Sequence, residues 1–179
     1  MYYSMQYQSP IGGMLLVSDG DGIVGLWNEG QKYYGATIKG EPVASDHQPV
    51  LIAAKIWLDR YFAGEQPQIS ELRLTPAGSA FRQEVWKLLC EIPYGSCTTY
   101  GELARQVAVR MNKESMSGQA VGGAVGHNPI SVIIPCHRVV GTDGSLTGYA
   151  GGLTKKIKLL EHEGVDMSGL FVPGKGTAL

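Results

Sequence analysis

The run Ile134-Pro135-Cys136-His137-Arg138-Val139 sets a thiol, an imidazole and a guanidinium side by side after an apolar stretch. The thiolate is the nucleophilic form of cysteine, and neighbouring positive charge favours it. A cysteine closing an apolar run is more commonly a small buried hydrophobe, but His137 and Arg138 set Cys136 apart. Adjacent side chains on a regular strand face opposite ways. Cys136 and His137 therefore need a turn after Pro135, or a bridging water, to communicate, and a base of this kind wants an orienting carboxylate. The other cysteines lack such neighbours: Cys90 lies in an apolar helical stretch, and Cys97 follows the turn-forming Pro93-Tyr94-Gly95-Ser96.

The elements that must position this chemistry fall into two halves. Residues 1–45 read as short strands, with Met14–Val17 and Ile23–Trp27 flanking the turn-rich Ser18–Gly22. Val50, Ala54, Trp57 and Tyr61 recur at helical spacing up to a stop at Gly64. A turn-rich linker, 64–78, divides the chain into domains 1–78 and 79–179. In the second domain, Phe81, Val85, Leu88 and Leu89 share a helix face. Thr99 and Glu102 have capping-box spacing for a helix to about Val109. Ser117 caps a third helix that runs to about His127 and is stopped by Asn128-Pro129. Ser131–Ile134 reads as a short buried strand or extended run. A last helix, about Thr154 to His162, carries Ile157 and Leu160 inward and stops at Gly164. Val172–Gly176 reads as a loose end.

The helices near 100–109 and 118–127 have the spacing of a helix-turn-helix. The second is unusual, because Gln119–Gly126 has almost no long polar side chains and holds three glycines. Each glycine costs about 1 kcal/mol relative to alanine inside a helix. Tight helix–helix contact would offset that cost, and so would a slim helix lying in a groove with phosphates at its N-terminus. The overall net charge of −1 does not suggest a nucleic-acid partner. The distribution is more permissive: 5 Lys/Arg against 8 Asp/Glu in residues 1–80, and 10 against 8 in 81–179. Arg105, Arg138, Lys155 and Lys156 are the candidate phosphate contacts.

No apolar run approaches the roughly 18 residues of a membrane span. Met1–Gln6 has neither a basic nor an apolar signal region. Three cysteines without CxxC spacing argue against a disulfide framework or a cysteine zinc site, and fit a reducing cytoplasm. His47 and His127 have no partners at ligand spacing, so no metal is expected.

Asn128-Pro129, Pro135–Val139, Gly148-Tyr149-Ala150-Gly151-Gly152 and His162-Glu163-Gly164, in order and spacing from about Phe81 to Gly164, resemble the methylated-DNA–protein-cysteine methyltransferases. The first half resembles them only in its hairpin-then-helix layout. The resemblance implies an α/β protein. Its N-terminal domain would be ribonuclease H-like, a small antiparallel sheet with a helix, and its C-terminal domain mostly helical with a helix-turn-helix. It implies single-turnover transfer of an alkyl group from O6 of guanine, with O4 of thymine a candidate second substrate, onto Cys136. His137 would be the base through a water, Glu163 its orienting group, Tyr100 the proton donor to guanine N3, and Asn128 the brace of the active-site turn. Gln119, Ala120, Gly122, Gly123 and Arg138 would meet DNA. Val139, Tyr149, Ala150 and Gly151 would form the pocket for the base. The partner would be duplex DNA, approached through the minor groove with the alkylated base flipped out, and the protein a cytoplasmic monomer that needs no cofactor.

Gln119 departs from the family pattern, in which many members carry an arginine that fills the gap left by the flipped base. Two other functions compete. One is a cysteine hydrolase or acyl transferase built on Cys136, His137 and Glu163, which turnover on an activated ester would reveal. The other is a non-catalytic lesion-binding protein of the same fold. Relatives of that kind replace the cysteine that is present here.

Overall fold

A computed structural model describes residues 1–174. The chain forms two compact units, Met1–Ala77 with Pro129–Ile133, and Gly78–Asn128 with the residues from Ile134 onward. The first unit therefore takes in a short segment from the second half of the sequence.

In the first unit, β1 (Tyr3–Ser9), β2 (Gly12–Ser18) and β3 (Ile23–Asn28) form an antiparallel meander, and β4 (Val43–Ala44) adds to β1 in parallel. The sheet order is β3-β2-β1-β4. The small sheet expected to be antiparallel is thus mixed, because residues 29–42 carry the chain from β3 to the far edge before it pairs. Helix α1 (Pro49–Phe62) lies on this sheet through a buried stripe of Leu51, Ala54, Trp57, Leu58 and Tyr61. A separate cluster gathers Val17, Val24 and Trp27 with Tyr2, Leu15 and Ile38.

The outer edge of β3 is covered along its length. The linker runs beside Ile23, which donates to Arg73 O at 2.8 Å and accepts from Thr75 N at 2.8 Å. Beside Leu26, Pro129 O accepts and Ser131 N donates, at 2.8 and 2.9 Å. The stretch 64–78, read as a turn-rich linker, is also partly an edge cover. It also holds a 3-10 turn, Ile69–Glu71. Ser131–Ile134 is not a strand. Ile130, just before it, bridges β3 at Leu26, and Val132 then takes φ 69° with Ile133 N donating to Ser131 O. A β-branched residue at positive φ cannot continue an extended run.

In the second unit, α2 (Ala80–Leu89), α3 (Tyr100–Arg110) and α4 (Gly118–Gly126) lie against one another. Trp86 joins the core of this group by donating from Nε1 to Ala124 O at 2.9 Å. Side chains cap each start: Ser79 for α2, Thr99 for α3 and Ser117 for α4. Only the Thr99 half of the capping box forms, since the Glu102 carboxylate takes Arg105 and Gln106 instead. A two-stranded parallel pair, β5 (Thr98–Thr99) with β6 (Val139–Val140), leads into α3. Helix α5 (Leu153–His162) closes the unit through Lys156, Leu159 and Leu160, with Ile157 only half-buried. The following segment is tied down as far as Phe171, which pairs with Gly144 and Leu146. Of the stretch read as a loose end, Lys175 and Gly176 lie outside the described residues.

Candidate active site

The chain leaves the second unit at Asn128 and re-enters at Ile134, and these two residues are tied together. Asn128 Nδ2 donates to Ile134 O at 2.9 Å. Past Pro135 the backbone closes into a 3-10 turn, Cys136–Arg138, with all three side chains buried. This turn puts the adjacent Cys136 and His137 in one interior. Cys136 is 4% exposed. Burial pushes its thiol up, while a hydrogen bond from Asn128 and the charge of Lys156 pull it back down.

His137 and Arg138 both converge on Glu163, the residue that ends α5. His137 Nε2 lies 2.7 Å from Glu163 Oε2. Arg138 donates to the same carboxylate from Nε at 2.8 Å and from Nη2 at 3.0 Å, and its Nη1 donates to Ile92 O at 2.6 Å. Burial works against the Glu163 charge, but the hydrogen bonds from His137 and Arg138 outweigh it and hold its carboxyl below the usual range. A carboxylate only accepts, so Nε2 of His137 carries the proton. Burial also pushes the imidazole down, against the pull of Glu163, and keeps it neutral. Its Nδ1 is then a lone-pair acceptor, buried and without a partner among the described residues. The Tyr149 ring meets the His137 ring edge-on, with centroids 6.5 Å apart.

This arrangement corrects the role expected of Arg138. At 6% exposed, and with its donors committed to Glu163 and Ile92, it is not available to a DNA phosphate. Nor is Arg138 the main charge acting on the thiol. Lys156, also named as a phosphate contact, is 0% exposed. Its ammonium donates to Val139 O and, at 2.6 Å, to Thr147 O. Burial lowers it to about 8, against the pull of Cys136 and Cys97. Spacing carried a signal for it: Lys156, Leu159, Leu160 and Glu163 fall on one helical stripe, and all four are buried.

Tyr100 opens α3. Its hydroxyl donates to Thr147 O at 3.2 Å and to Gly148 O at 3.4 Å, both long for such bonds. Burial, then the nearby Cys136, raises its pKa, so the phenol stays protonated. Thr147 and Gly148 begin the Gly-rich loop, in which Gly148 takes φ 90° and Gly152 φ 98°. Val139 and Tyr149 are buried and Ala150 and Gly151 half-buried.

Gln119 and Ala120 are exposed on α4, and Gly122 and Gly123 partly so. A Cβ added at Gly118 or Gly123 would meet nothing within 4 Å, and at Gly122 only the Tyr100 ring at 3.9 Å. Internal contact therefore does not require glycine at these positions. Among the described residues no group of three or more His, Cys, Asp or Glu side chains could hold a metal. No described helix is long and apolar enough to cross a membrane.

Two family models match the chain. Residues 1–76 match the ribonuclease-like domain of 6-O-methylguanine DNA methyltransferase, and residues 80–165 match its DNA-binding domain. The methylated-DNA–protein-cysteine methyltransferase of Haemophilus influenzae is 44% identical over 91% of this chain and 86% of its own length. That of Methanosarcina acetivorans is 39% identical over 92% and 99%. The crystal structure of Mycobacterium tuberculosis O6-methylguanine methyltransferase superposes with a TM-score of 0.77 at 38% identity, covering 91% of this chain and 93% of the other. A structure of Mycobacterium tuberculosis OGT in complex with DNA gives 0.77 at 37% identity, covering 94% of each chain. The chain belongs to the methylated-DNA–protein-cysteine methyltransferase family and is a transferase.

Proposed function

We propose that this protein repairs alkylated DNA directly, moving a methyl or larger alkyl group from O6 of guanine to Cys136 in a single turnover. O4 of thymine is a candidate second substrate. The observation that carries this reading is the buried pair of Cys136 and a neutral His137, whose Nε2–H is committed to Glu163 and whose Nδ1 lone pair is not engaged. A water between Nδ1 and Sγ passes the thiol proton to the imidazole. The thiolate attacks the alkyl carbon in line, the S–C bond forms, and the C–O bond breaks with its electrons going to the purine. Tyr100 gives its proton to N3 as the base departs. Its two long hydrogen bonds leave it loosely committed and suited to that exchange. A thioether has no easy hydrolytic exit, which limits each molecule to one event and needs no cofactor.

Guanine O6 lies on the major-groove edge of a stacked base. A 4% exposed sulfur cannot reach it there, so the nucleotide must be flipped out at a cost of a few kcal/mol. The small, open face of α4 supports an approach to the minor groove, with α3 and α4 acting as a helix-turn-helix and the protein working as a monomer. Val139, Tyr149, Ala150 and Gly151 then enclose the base.

Intact-protein mass spectrometry after incubation with a duplex bearing one O6-methylguanine tests the reaction. A gain of one methyl per protein, mapped to Cys136 and then saturating, is the expected result. A repaired lesion with unchanged protein mass would mean turnover and would exclude the mechanism.

Gln119 supplies a second test, on DNA rather than on chemistry. It is exposed near the α4 N-terminus and, in this reading, occupies the hole left by the flipped base. Arginine there adds a charge that phosphate attracts. Gln119→Arg is expected to bind duplex no more weakly and to repair it at least as fast. A marked loss of duplex repair, measured in single-turnover assays, would remove Gln119 from the stack.

A further inference from the structure

The mechanism above gives no task to the segment that follows α5, residues 165–171. Its start is fixed to the helix end, where Val165 N donates to Leu160 O at 3.1 Å. Asp166 Oδ1 accepts from Ser168 N at 3.0 Å, and Leu170 N donates to Met167 O at 3.0 Å. Val165, Met167 and Leu170 pack on the buried Val140, Leu146 and Leu160. Phe171 then pairs with Ser145 as a parallel bridge. Its N–H donates to Gly144 O at 3.1 Å, and its carbonyl accepts from Leu146 N at 2.9 Å. Gly144 has φ 93°, and a Cβ there would collide with the Gly169 carbonyl oxygen. Glycine is therefore what lets the segment come this close.

The turn that receives this strap is itself closed. Gly141 N donates to Ser145 O at 2.8 Å, and Ser145 N donates to Asp143 Oδ1 at 3.0 Å. Leu146 is followed at once by Thr147 and Gly148, whose carbonyls accept from the Tyr100 hydroxyl. Tyr149, Ala150 and Gly151 come next. The base-pocket loop thus leaves from a point held on one side by Phe171 and on the other by Tyr100.

We infer that Phe171 is a positioning residue for capture of the flipped base. Its backbone pins Gly144 and Leu146 and so fixes where the pocket loop begins. The ring has no share in this, since it is 46% exposed. The inference rests on the reading above, in which that loop encloses the base.

Phe171→Pro removes the N–H that Gly144 O accepts, whereas Phe171→Ala keeps both backbone bonds and removes only the ring. A chain ending at Gly169 lacks the pairing outright. Each is compared with wild type in thermal melting, in affinity for an undamaged duplex, and in single-turnover transfer against the concentration of an O6-methylguanine duplex. The half-saturating concentration is expected to rise about five- to tenfold in Phe171→Pro and in the shortened chain, the effect of one or two lost backbone hydrogen bonds. The maximal transfer rate and the affinity for undamaged duplex should stay within about twofold of wild type, because Cys136, His137, Glu163 and α4 are untouched. Phe171→Ala should match wild type throughout.

Unchanged half-saturation in both Phe171→Pro and the shortened chain would overturn the inference. An equal rise in Phe171→Ala would assign the effect to the ring and overturn it too. The same would follow if undamaged duplex were lost to the same degree, or if neither backbone variant folded, since the strap would then be a general support. No methyl on wild-type Cys136 would instead refute the reaction itself.

Discussion

Cys136→Ser is expected to abolish alkyl transfer, by about 10³-fold or more, in a protein that still folds and still binds a lesion-bearing duplex. The substitution exchanges one small buried group for another, and Asn128 can donate to a serine oxygen as it does to the sulfur. Chemistry fails because a hydroxyl is far harder to ionise than a thiol. Burial already pushes Cys136 up, and the site offsets this only with a hydrogen bond, one lysine and a neutral imidazole. That is enough to reach a thiolate and far short of an alkoxide. Cys90→Ser and Cys97→Ser are the controls. Burial pushes Cys90 up to about 11, and Cys97 is raised as well, with no imidazole in hydrogen-bonding reach of either among the described contacts. Both variants should transfer at close to the wild-type rate in a single-turnover assay. If either lost transfer with Cys136 intact, Cys136 would not be the acceptor.

What could be read from the sequence followed its local rules. Caps at Thr99 and Ser117, the stop at Asn128-Pro129 and the hairpin around Ser18–Gly22 are short-range features, and each marks an element boundary close to the structural one. The need for a turn after Pro135 was also legible, because alternation on a strand would have parted Cys136 from His137. The directions of the charged side chains were not. Adjacency made Arg138 look like part of an electropositive surround for the thiol, but the 3-10 turn sends it to Glu163, 25 residues away in sequence. Lys156 looked like one of several surface cations, yet the helical stripe of α5 carries it inward. The charge that bears on the nucleophile comes from the residue whose sequence position suggested least. The mixed sheet escaped detection for a related reason, since a two-residue β4 after a long connection has no periodicity to find.

The glycines of α4 show the reverse case, in which sequence posed a choice and packing narrowed it. Contact between helices and contact with an external surface both explain a glycine-rich helix. Gly118 and Gly123 have open space where a Cβ would stand. At Gly123, inside the helix, the cost of about 1 kcal/mol relative to alanine is therefore not offset by anything internal. Packing thus leaves contact with an external surface, as proposed above, as the remaining reason for Gly123.

Glu163→Gln is expected to damage both stability and chemistry, and a second substitution separates the two. The Glu163 carboxylate takes one hydrogen bond from His137 and two from Arg138. A glutamine amide has one accepting oxygen, and its NH2 must face a donor. Arg138 is left as a buried cation without a counter-charge, a loss of about 3–5 kcal/mol that denaturant unfolding would register. His137 must share one neutral oxygen with Arg138 and loses the charge that stabilises its protonated form. The tautomer with Nδ1 as acceptor is then held more weakly, and single-turnover transfer should fall steeply.

The pH dependence of stability has a definite sign. The folded pKa of Glu163 is depressed below its unfolded value, so its stabilisation is fully present above the ordinary carboxylate range, near pH 4, and is lost as pH falls through the folded value. The variant should lack that part of the acid limb. Adding Arg138→Met to Glu163→Gln removes the stranded cation and should restore much of the stability. Transfer should return only in part, because a neutral amide oxygen can accept from His137 Nε2 but cannot stabilise the imidazolium that forms when His137 takes the thiol proton. Full recovery of both in the double variant would mean that Glu163 serves only to balance Arg138, and the base would then have to be sought elsewhere.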